Sequence, residues 1–447
     1  MSMSDHPKVY GTAAVAAAFV AGIVLTLGFK DLYPDLERRY QRRRGQPSTR
    51  ADSRPGSTYL PYPPVKLEDH TRSARQSVVG VTVEIPEGIE GCIGNTPLFK
   101  IKSLSEATGC LILGKAEFLN GAGGSPKDRV ALNMIRTAEA DGFLTPGQGD
   151  TIYEGTVGST GISLATLARA LGYKAHICMP NDQSTEKSEL LTRLGATVER
   201  VTPAPITSTS HFVNLARTRA REHTASASDK SKGFFADQFE SMANNNAHFK
   251  STGPEIYNQT GGQIDAFVAG AGTGGTISGI AMYLKQEMGL DSSIRVVLAD
   301  PAGSGLYNKI KHGVMFSNTE KEGTRRRQQV DTIVEGIGIN RITENFEVGR
   351  ELVDDAVKVS DAQAMKMARW LVEKDGIFIG SSSAVNCVAA VVTALRMPKE
   401  SRVVTILCDS GTRHLSKFWK QVGEMGLEEE HSDLLDLLGV DEHGQWQ

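Results

Sequence analysis

The sequence predicts an α/β fold with mainly parallel, helix-covered sheets in two domains, preceded by an N-terminal appendage. The chain has 447 residues, more than one ordinary hydrophobic core accommodates. From residue 79 onward, short apolar runs rich in β-branched residues alternate with amphipathic helical patterns. Such runs are typical of parallel strands that are buried on both faces. Loops rich in glycine and hydroxyl side chains follow several of these strands, and this edge of an open α/β sheet is where ligands bind.

The apolar runs and helical patterns define a folded region from residue 79 to residue 425. The predicted strands are AHICMP (175–180), TVERVT (197–202), IDAFVAG (264–270), IRVVLAD (294–300) and RVVTILC (402–408). Helical patterns between them cover 185–195, 277–288 and 362–376. Residues 426–447 are expected to form an acidic C-terminal tail.

The N-terminal appendage predicts a membrane anchor. After a short tail (1–10), the uncharged run 11–29 would rise about 28 Å as a helix, close to the roughly 30 Å of a bilayer core. Basic residues follow this run, so the rest of the chain is expected in the cytosol. A buried alanine-rich helix is the alternative. The basic, Pro- and Ser-rich composition of residues 30–78 is typical of a linker. For the anchor at 11–29, the mitochondrial outer membrane is favoured over the endoplasmic reticulum.

Composition excludes some function classes. A net charge of -3 gives no bias toward nucleic acid. The five cysteines show no CxxC or Cys/His spacing, so no metal site is expected, and free thiols in a reducing compartment are the simplest interpretation. They are Cys92, Cys110, Cys178, Cys387 and Cys408.

The first ligand-type loop is NGAGGSPKDRVALNMI (120–135). Ser125 is expected to cap a helix, with Pro126 at its first position and Asp128 completing a capping box. Lys127 would then project from the first turn, where the positive helix end and partial burial both lower a lysine pKa. A neutral amine is what Schiff-base chemistry requires. An ordinary surface lysine is the alternative.

Two further loops are suited to anions. EGTVGSTGISLA (154–165) offers backbone N–H groups and hydroxyls to a carboxylate or a phosphate, and AGAGTGGTISG (269–279) has bare glycines that let the backbone approach phosphate oxygens. The second loop also satisfies GxGxxG, with Asp300 at the end of the next strand, as in an NAD site. Its position well inside the folded region and its dense Gly/Thr run favour a phosphate loop instead.

A fourth loop, ILCDSGTRH (406–414), ends the last predicted strand. Ser410 in this loop is able to exchange a hydrogen bond with a heterocyclic nitrogen. A simple strand-terminal turn is the alternative.

In this order, the loops resemble the cysteine synthase (O-acetylserine sulfhydrylase) and cystathionine β-synthase family of fold-type II pyridoxal-phosphate enzymes, over about residues 94–420. The matching motifs are GNTPLFKI (94–101), KAEFLNGAGGSPKDR (115–129), EGTVGSTG (154–161), DQFESMANNNAHFKSTGPEIYNQT (237–260), GTGGT (272–276), GIG (336–338) and Ser410. Seven collinear matches make the resemblance specific. It implies a two-domain architecture with a smaller substrate-binding subdomain at about 125–235.

The resemblance implies pyridoxal 5′-phosphate as the cofactor, with Lys127 as the catalytic Schiff-base residue. The other residues that it implies for the cofactor are Ser159, Gly272, Thr273, Gly274, Gly275, Thr276 and Ser410. The residues that it implies for the amino-acid substrate are Thr156, Ser159, Thr160, Gln238 and Gly336. A homodimer is expected by analogy with the family.

The chain departs from the family pattern at three places. Ser159 stands where asparagine is usual, the lysine loop has one extra residue, and Ala384 stands where glycine is typical. If the position of Ala384 needed a positive φ, its Cβ would be strained.

The implied reaction is β-replacement, with O-acetylserine and sulfide giving cysteine and acetate. The sequence after the matched region leaves no room for the regulatory module of cystathionine β-synthases, which favours sulfide as the nucleophile. Cystathionine formation and serine or threonine dehydration are alternatives. A catalytically weak, membrane-tethered scaffold is an alternative of another class, motivated by Ser159 and Ala384.

Overall fold

The computed structural model describes residues 85–183, 185–226, 230–315, 332–426 and 433–447. The predicted tail (1–10), anchor (11–29) and linker (30–78) lie outside the described residues. Within the described ranges, no helix combines the length and the apolar character that crossing a bilayer requires.

Ten strands form two sheets. The larger sheet has the order β1-β2-β10-β7-β8-β9, in which β1 and β2 are antiparallel and every other pair is parallel. The smaller sheet, β5-β4-β3-β6, is parallel throughout. The strands are β1 (Leu98–Lys100), β2 (Leu111–Ala116), β3 (Thr151–Gly155), β4 (Lys174–Pro180), β5 (Thr197–Val201), β6 (Gly233–Phe235), β7 (Ala266–Gly270), β8 (Arg295–Pro301), β9 (Asp355–Val359) and β10 (Arg402–Leu407).

Helices cover these sheets. They are α1 (Lys102–Thr108), α2 (Lys127–Ala140), α3 (Ser159–Ala170), α4 (Thr185–Arg193), α5 (Phe212–Ser226), α6 (Met242–Ala247), α7 (Gly253–Gln259), α8 (Gly275–Ala281), α9 (Leu306–His312), α10 (Glu344–Glu347), α11 (Asp361–Asp375), α12 (Ser381–Leu395), α13 (Lys420–Glu424) and α14 (Leu434–Leu438). Short 3₁₀ or π-helical turns extend several of them, and α8 continues as a π-helix through Met282–Glu287.

Apolar strands buried between helices account for the fold. The central strands β7 and β10 are almost wholly buried, as the continuous apolar runs require. Helix α12 is buried along nearly its whole length and packs against β10 and β7. The predicted α/β class with mainly parallel sheets is confirmed, and all five predicted strands are present within two residues of their expected bounds.

The parallel arrangement brings the ligand-type loops to the carboxyl ends of strands. Strand β3 runs into α3 through residues 156–158, and β7 runs into α8 through residues 271–274. Strand β10 ends three residues before Ser410. The fold therefore places these loops at the edges where α/β proteins bind ligands.

The segment expected as an acidic tail contributes to the larger core. Helix α14 buries Leu434, Leu437 and Leu438 among the core residues that surround α11 and α12. The Nζ of Lys366 on α11 donates to the carbonyl oxygen of Leu437 at 2.9 Å. Asp433, Asp436 and Glu442, three acidic residues of this segment, are exposed.

Leu438→Ala is expected to lower the free energy of unfolding by about 2–4 kcal/mol, because it leaves a cavity in this core. Denaturant unfolding of the full-length protein measures the change. Asp436→Ala, on the exposed side of the same helix, is the matched control and should shift stability by less than about 0.5 kcal/mol. Equal effects of the two substitutions would contradict the packing of α14.

Candidate active site

Lys127 is the first residue of helix α2. Its backbone N–H donates to Ser125 Oγ at 3.3 Å. The expected capping box is wrong in detail, because Asp128 Oδ2 accepts from the backbone N–H groups of Gly123 and Gly124, at 2.7 and 2.8 Å. The helix also begins one residue later than expected. The Asp128 carboxylate therefore holds Gly123 and Gly124 against the start of α2.

Asp128 also joins this turn to the next helix. Ser163 Oγ, on α3, donates to Asp128 Oδ1 at 2.5 Å. Gly124 has a φ of +64, in the left-handed region that glycine adopts without a steric penalty. The glycine turn, the lysine and α3 are thus held in one arrangement.

Arg129, two residues after Lys127, is the centre of a buried charge network. Its Nε donates to Glu117 Oε2 at 2.8 Å and its Nη1 donates to Glu255 Oε1 at 2.6 Å. Lys115 Nζ donates to Glu255 Oε2 at 2.6 Å. Burial disfavours the ionised form of Glu117. The charge and hydrogen bonds of the Arg129 guanidinium outweigh burial and lower the pKa of Glu117 to about 2. Two acids and two bases compensate one another, so this network fixes α2 against β2 and α7.

The environment of Lys127 favours its neutral amine. Burial lowers the pKa of the Lys127 amine, and the nearby Cys408 and Asp409 oppose that shift. These two residues immediately precede Ser410 in the chain. Lys127 therefore lies beside the loop that follows β10, and its lowered pKa favours the neutral amine that attacks a carbonyl.

The loop from Gly272 to Thr276 admits no side chain at its glycines. Gly274 has a φ of +87, and a Cβ built on it would lie 2.4 Å from the Cβ of Phe346. A Cβ on Gly272 would lie 2.3 Å from the carbonyl oxygen of Gly336. This second contact places the expected substrate loop directly against the phosphate loop. The first amides of α8 have no acceptor within the helix, which is the arrangement that binds a phosphate.

Asn244 connects two of the predicted loops, although the sequence did not single it out. Its Nδ2 donates to Thr273 Oγ1 and to the carbonyl oxygen of Gln238, each at 2.8 Å. A Cβ on Gly275 would lie 2.1 Å from Asn244 Oδ1. The sequence feature that could have indicated a role for Asn244 is the run of three asparagines at 244–246 in an otherwise apolar helix.

His248 supports the last hydroxyl of the phosphate loop. Its Nε2 lies 3.1 Å from Thr276 Oγ1, and its Nδ1 lies 2.9 Å from Thr252 Oγ1. Burial lowers the pKa of His248 to about 3, so the imidazole is neutral. A neutral ring accepts one hydrogen bond and donates the other, which orients both hydroxyl groups.

The loop after β3 gathers the residues expected for a carboxylate. Thr160 Oγ1 donates to Gln238 Oε1 at 2.5 Å, and both side chains are buried. Thr156 Oγ1 accepts from the backbone N–H of Gly158 at 3.3 Å. Ser159 is the first residue of α3 and is partly exposed. The structure thus brings all four predicted residues to one helix start.

Arg413 lies at the point where the usual asparagine is replaced by Ser159. Its Nη1 donates to Ser159 Oγ at 3.3 Å, which joins the loop after β10 to α3. Ser410 Oγ in the same loop accepts from the backbone N–H of Thr412, also at 3.3 Å. The sequence prediction missed Arg413, since nothing in its spacing indicated a partner 254 residues away.

Asp300 is not placed as a dinucleotide site requires. It is fully buried, and its Oδ2 accepts from the backbone N–H of Tyr307 at the start of α9, at 2.8 Å. Lys358 Nζ lies 3.7 Å from the same oxygen. The carboxylate that would bind a ribose is therefore engaged in the protein's own structure.

Ala384 does not strain the backbone. It lies in the first turn of α12, and its backbone N–H donates to the carbonyl oxygen of Gly380 at 3.2 Å. It is absent from the non-glycine residues with positive φ among those that the structure describes. The condition for a clash, a positive φ, is therefore not met, and a helical position accepts alanine readily.

A second group of potential ligands lies under α5, away from these loops. The ligand atoms of His176, Cys178 and Glu199 lie within 4.8 Å of one another. Arg219 already donates to both oxygens of Glu199, at 2.9 and 3.1 Å. Burial raises the pKa of the Cys178 thiol to about 12. We interpret this group as a structural network between sheet and helix.

The residues fit pyridoxal phosphate. A lysine with a lowered pKa can bind its aldehyde, and a glycine-lined loop with two hydroxyls, Thr273 and Thr276, suits its phosphate. Ser410 offers a neutral hydroxyl for its ring nitrogen.

Comparison with known proteins agrees with these observations. Residues 89–409 match the family model described as "Pyridoxal-phosphate dependent enzyme". "Cysteine synthase 2" of Neurospora crassa is 69% identical, over 99% of this chain and 99% of the relative. "Cysteine synthase 2" of Schizosaccharomyces pombe is 59% identical, over 78% of this chain and 87% of the relative. A crystal structure of O-ureido-L-serine synthase is 28% identical with a TM-score of 0.64, over 78% of this chain and 98% of that one.

Gly274→Ala is expected to weaken retention of pyridoxal phosphate at least tenfold, because the new Cβ has no space beside Phe346 and the φ is unfavourable. Cofactor content after dialysis and the dissociation constant on reconstitution measure this. Gly289→Ala is the matched control, since Gly289 has a φ of +71 but no neighbour within 4 Å of the added atom. Equal losses of cofactor in the two variants would show that backbone strain alone was responsible.

Proposed function

The chain belongs to the family of pyridoxal-phosphate dependent enzymes, and from this premise we propose that it is a cysteine synthase, converting O-acetylserine and sulfide into cysteine and acetate. The single observation that carries the proposal is Lys127, which begins helix α2 beside the loop after β10 and whose pKa is lowered by burial. High identity to relatives named cysteine synthase supports the choice of reaction.

The cofactor would be held by the start of α2 and by the loops after β7 and β10. Lys127 would anchor it, the backbone of residues 272–276 and the hydroxyls of Thr273 and Thr276 would bind its phosphate, and Ser410 would partner its ring nitrogen. When bound, pyridoxal phosphate supplies an electron sink that holds the amino acid through its amine and acidifies the α-proton. A hydroxyl partner, unlike a carboxylate, leaves that nitrogen weakly charged, which favours β-replacement over transamination.

The loop after β3 orients the substrate. Thr156, Ser159 and Thr160 surround the carboxylate at the start of α3, where the helix dipole is positive, and Gln238 supports Thr160. Gly336, also expected to face the substrate, lies against Gly272 of the phosphate loop. The carboxylate contacts fix the Cα–H bond relative to Lys127, which converts proton transfer into a positioned intramolecular step.

Lys127 moves the proton. Its neutral amine removes the α-proton as general base, and the carbon–oxygen bond to acetate breaks. Sulfide then forms the new carbon–sulfur bond, and Lys127 returns the proton to the α-carbon. The lowered pKa of Lys127 keeps its amine competent for the first transfer at neutral pH.

Two structural features argue against a scaffold without catalytic activity. Ala384 fits a regular helix, and Ser159 has a guanidinium partner in Arg413. Cystathionine formation and serine dehydration use the same cofactor and stay alternatives for the test.

Lys127→Ala is expected to abolish both cysteine synthesis and the visible absorption band of the bound cofactor near 410–420 nm, roughly where a lysine-bound pyridoxal absorbs. Full-length protein in detergent is assayed for cysteine and acetate from O-acetylserine and sulfide. Lys102→Ala, at the start of α1, is the control and should keep both signals.

Other outcomes of the same assay would contradict the proposal. A higher rate with homocysteine than with sulfide would indicate a cystathionine synthase. Pyruvate from serine without sulfide would indicate a dehydratase. A stable cofactor band without turnover of any of these substrates would indicate a scaffold.

We also propose that residues 11–29 attach the protein to a membrane, with the mitochondrial outer membrane favoured and the catalytic region facing the cytosol. The support is the length of the uncharged run and the basic residues that follow it. A homodimer is proposed by family analogy.

Val20→Arg is expected to release the protein from membranes under alkaline carbonate extraction, since a charge at the middle of a spanning helix costs about 2.5–3.5 kcal/mol. Thr12→Arg, at the end of the run, is the matched control and should remain membrane-bound. Native protein that is fully extracted by carbonate would contradict the anchor.

A further inference from the structure

Glu154, the penultimate residue of β3, is a buried acid that the proposed mechanism does not use. Its side chain has no exposed surface. It lies behind the carboxylate loop, where its Oε1 accepts from Gln238 Nε2 and its Oε2 accepts from the Gln238 backbone N–H, both at 3.3 Å. Gln238 therefore has Glu154 on one side and Thr160 on the other.

This arrangement couples the protonation state of Glu154 to the Thr156–Thr160 loop that is proposed to bind the substrate carboxylate. Gln238 Oε1 accepts the Thr160 hydroxyl at 2.5 Å, and Thr160 is one of the residues proposed to hold the carboxylate. Rotation or repulsion of the Gln238 side chain would change what Thr160 presents to a ligand. Asn244 holds the backbone carbonyl of Gln238. The Gln238 side-chain amide is held by Glu154 and Thr160, and its Nε2 also donates to the carbonyl oxygen of Gly155 at 3.5 Å.

The charges around Glu154 disfavour its ionised form. Asp237, the residue before Gln238, is partly buried at a φ of +53, and one of its oxygens has no hydrogen-bond partner among the described residues. Arg217 on α5 lies 3.1 Å from Asp237 and pairs with that acid rather than with Glu154. Cys178 on the neighbouring strand β4 is a buried thiol. Burial, followed by the charge of Asp237, raises the pKa of Glu154 to about 8, against the hydrogen bonds from Gln238 and Gly155, which favour the carboxylate.

We propose that Glu154 is a positioning residue behind Gln238, and that the site receives the amino-acid carboxylate only while Glu154 is uncharged. This inference rests on the proposed function of the Thr156–Thr160 loop. An ionised Glu154 places a buried negative charge behind the site that receives a carboxylate, and the two anions repel each other in a medium of low dielectric. Glu154 thereby restricts substrate binding to pH values below the pKa of its own carboxyl group.

The sign of the pH dependence follows from the raised pKa. At pH 7 most molecules carry a protonated Glu154 and bind the substrate. At pH 9 about nine-tenths are ionised, and if that form does not bind, the apparent KM for O-acetylserine rises about tenfold between pH 7 and pH 9. The kcat at saturating substrate should change much less, because Glu154 does not contact the reacting atoms.

The experiment compares full-length holoenzyme with Glu154→Gln and Glu154→Leu. Glu154→Gln keeps an acceptor oxygen and cannot ionise, so the tenfold rise in KM should disappear. Glu154→Leu removes both acceptors, so KM should be raised at every pH with kcat largely retained. The substrate amine and sulfide titrate identically in all three proteins, so the ratio of native to Glu154→Gln KM isolates the contribution of Glu154.

Binding of L-alanine, measured as a shift in melting temperature, separates this inference from the proposed function. L-Alanine has the same amine and carboxylate but no leaving group. Absence of cysteine synthesis together with alanine binding that weakens above pH 8 only in the native protein would overturn the proposed function and keep the role of Glu154. Parallel pH profiles of native protein and Glu154→Gln, in either KM or alanine binding, would overturn the inference, whether or not Glu154→Leu folds.

Discussion

The arrangement of the site depends on the anchoring of the first turn of helix α2 by the two residues that follow Lys127. Asp128 draws the glycine turn and Ser163 onto one side of this turn, and Arg129 binds Glu117 and Glu255 on the other. Removing one partner of a buried ion pair typically costs about 3–5 kcal/mol, because a charge is left uncompensated. Lys127 thus leaves a turn whose position is fixed by charged contacts on both sides, and burial lowers the pKa of its amine.

Side-chain hydrogen bonds also connect loops that follow strands of the two sheets. Asn244 links the phosphate loop after β7 to Gln238, beyond the end of the smaller sheet, and Arg413 links the loop after β10 to the start of α3. The contact of Asn244 with Thr273 spans 29 residues of the chain, and that of Arg413 with Ser159 spans 254. These side-chain hydrogen bonds therefore set the proposed carboxylate and phosphate positions relative to one another, so that substrate and cofactor would meet in a prearranged site.

The sequence was sufficient for the fold class because apolar strands and glycine-rich junctions are local patterns. Collinear motifs also predicted roles for Lys127, the 272–276 loop and Ser410, and these roles stay predictions. It was not sufficient for Asn244, His248, Arg413 or Glu154, whose roles arise from contacts that no spacing encodes. The expected strain at Ala384 failed for the same reason, since the start of α12 at residue 381 is set by packing against β7 and β10.

Chemical identification of the cofactor's attachment point tests the central claim most directly. Borohydride reduction of the full-length holoenzyme fixes pyridoxal phosphate to the amine that carries it, and peptide mass analysis then locates the modified lysine. The account predicts that the label is on Lys127 and that prior saturation with an amino acid prevents its fixation there. Label on any other lysine, or no label in protein that synthesises cysteine, would contradict it.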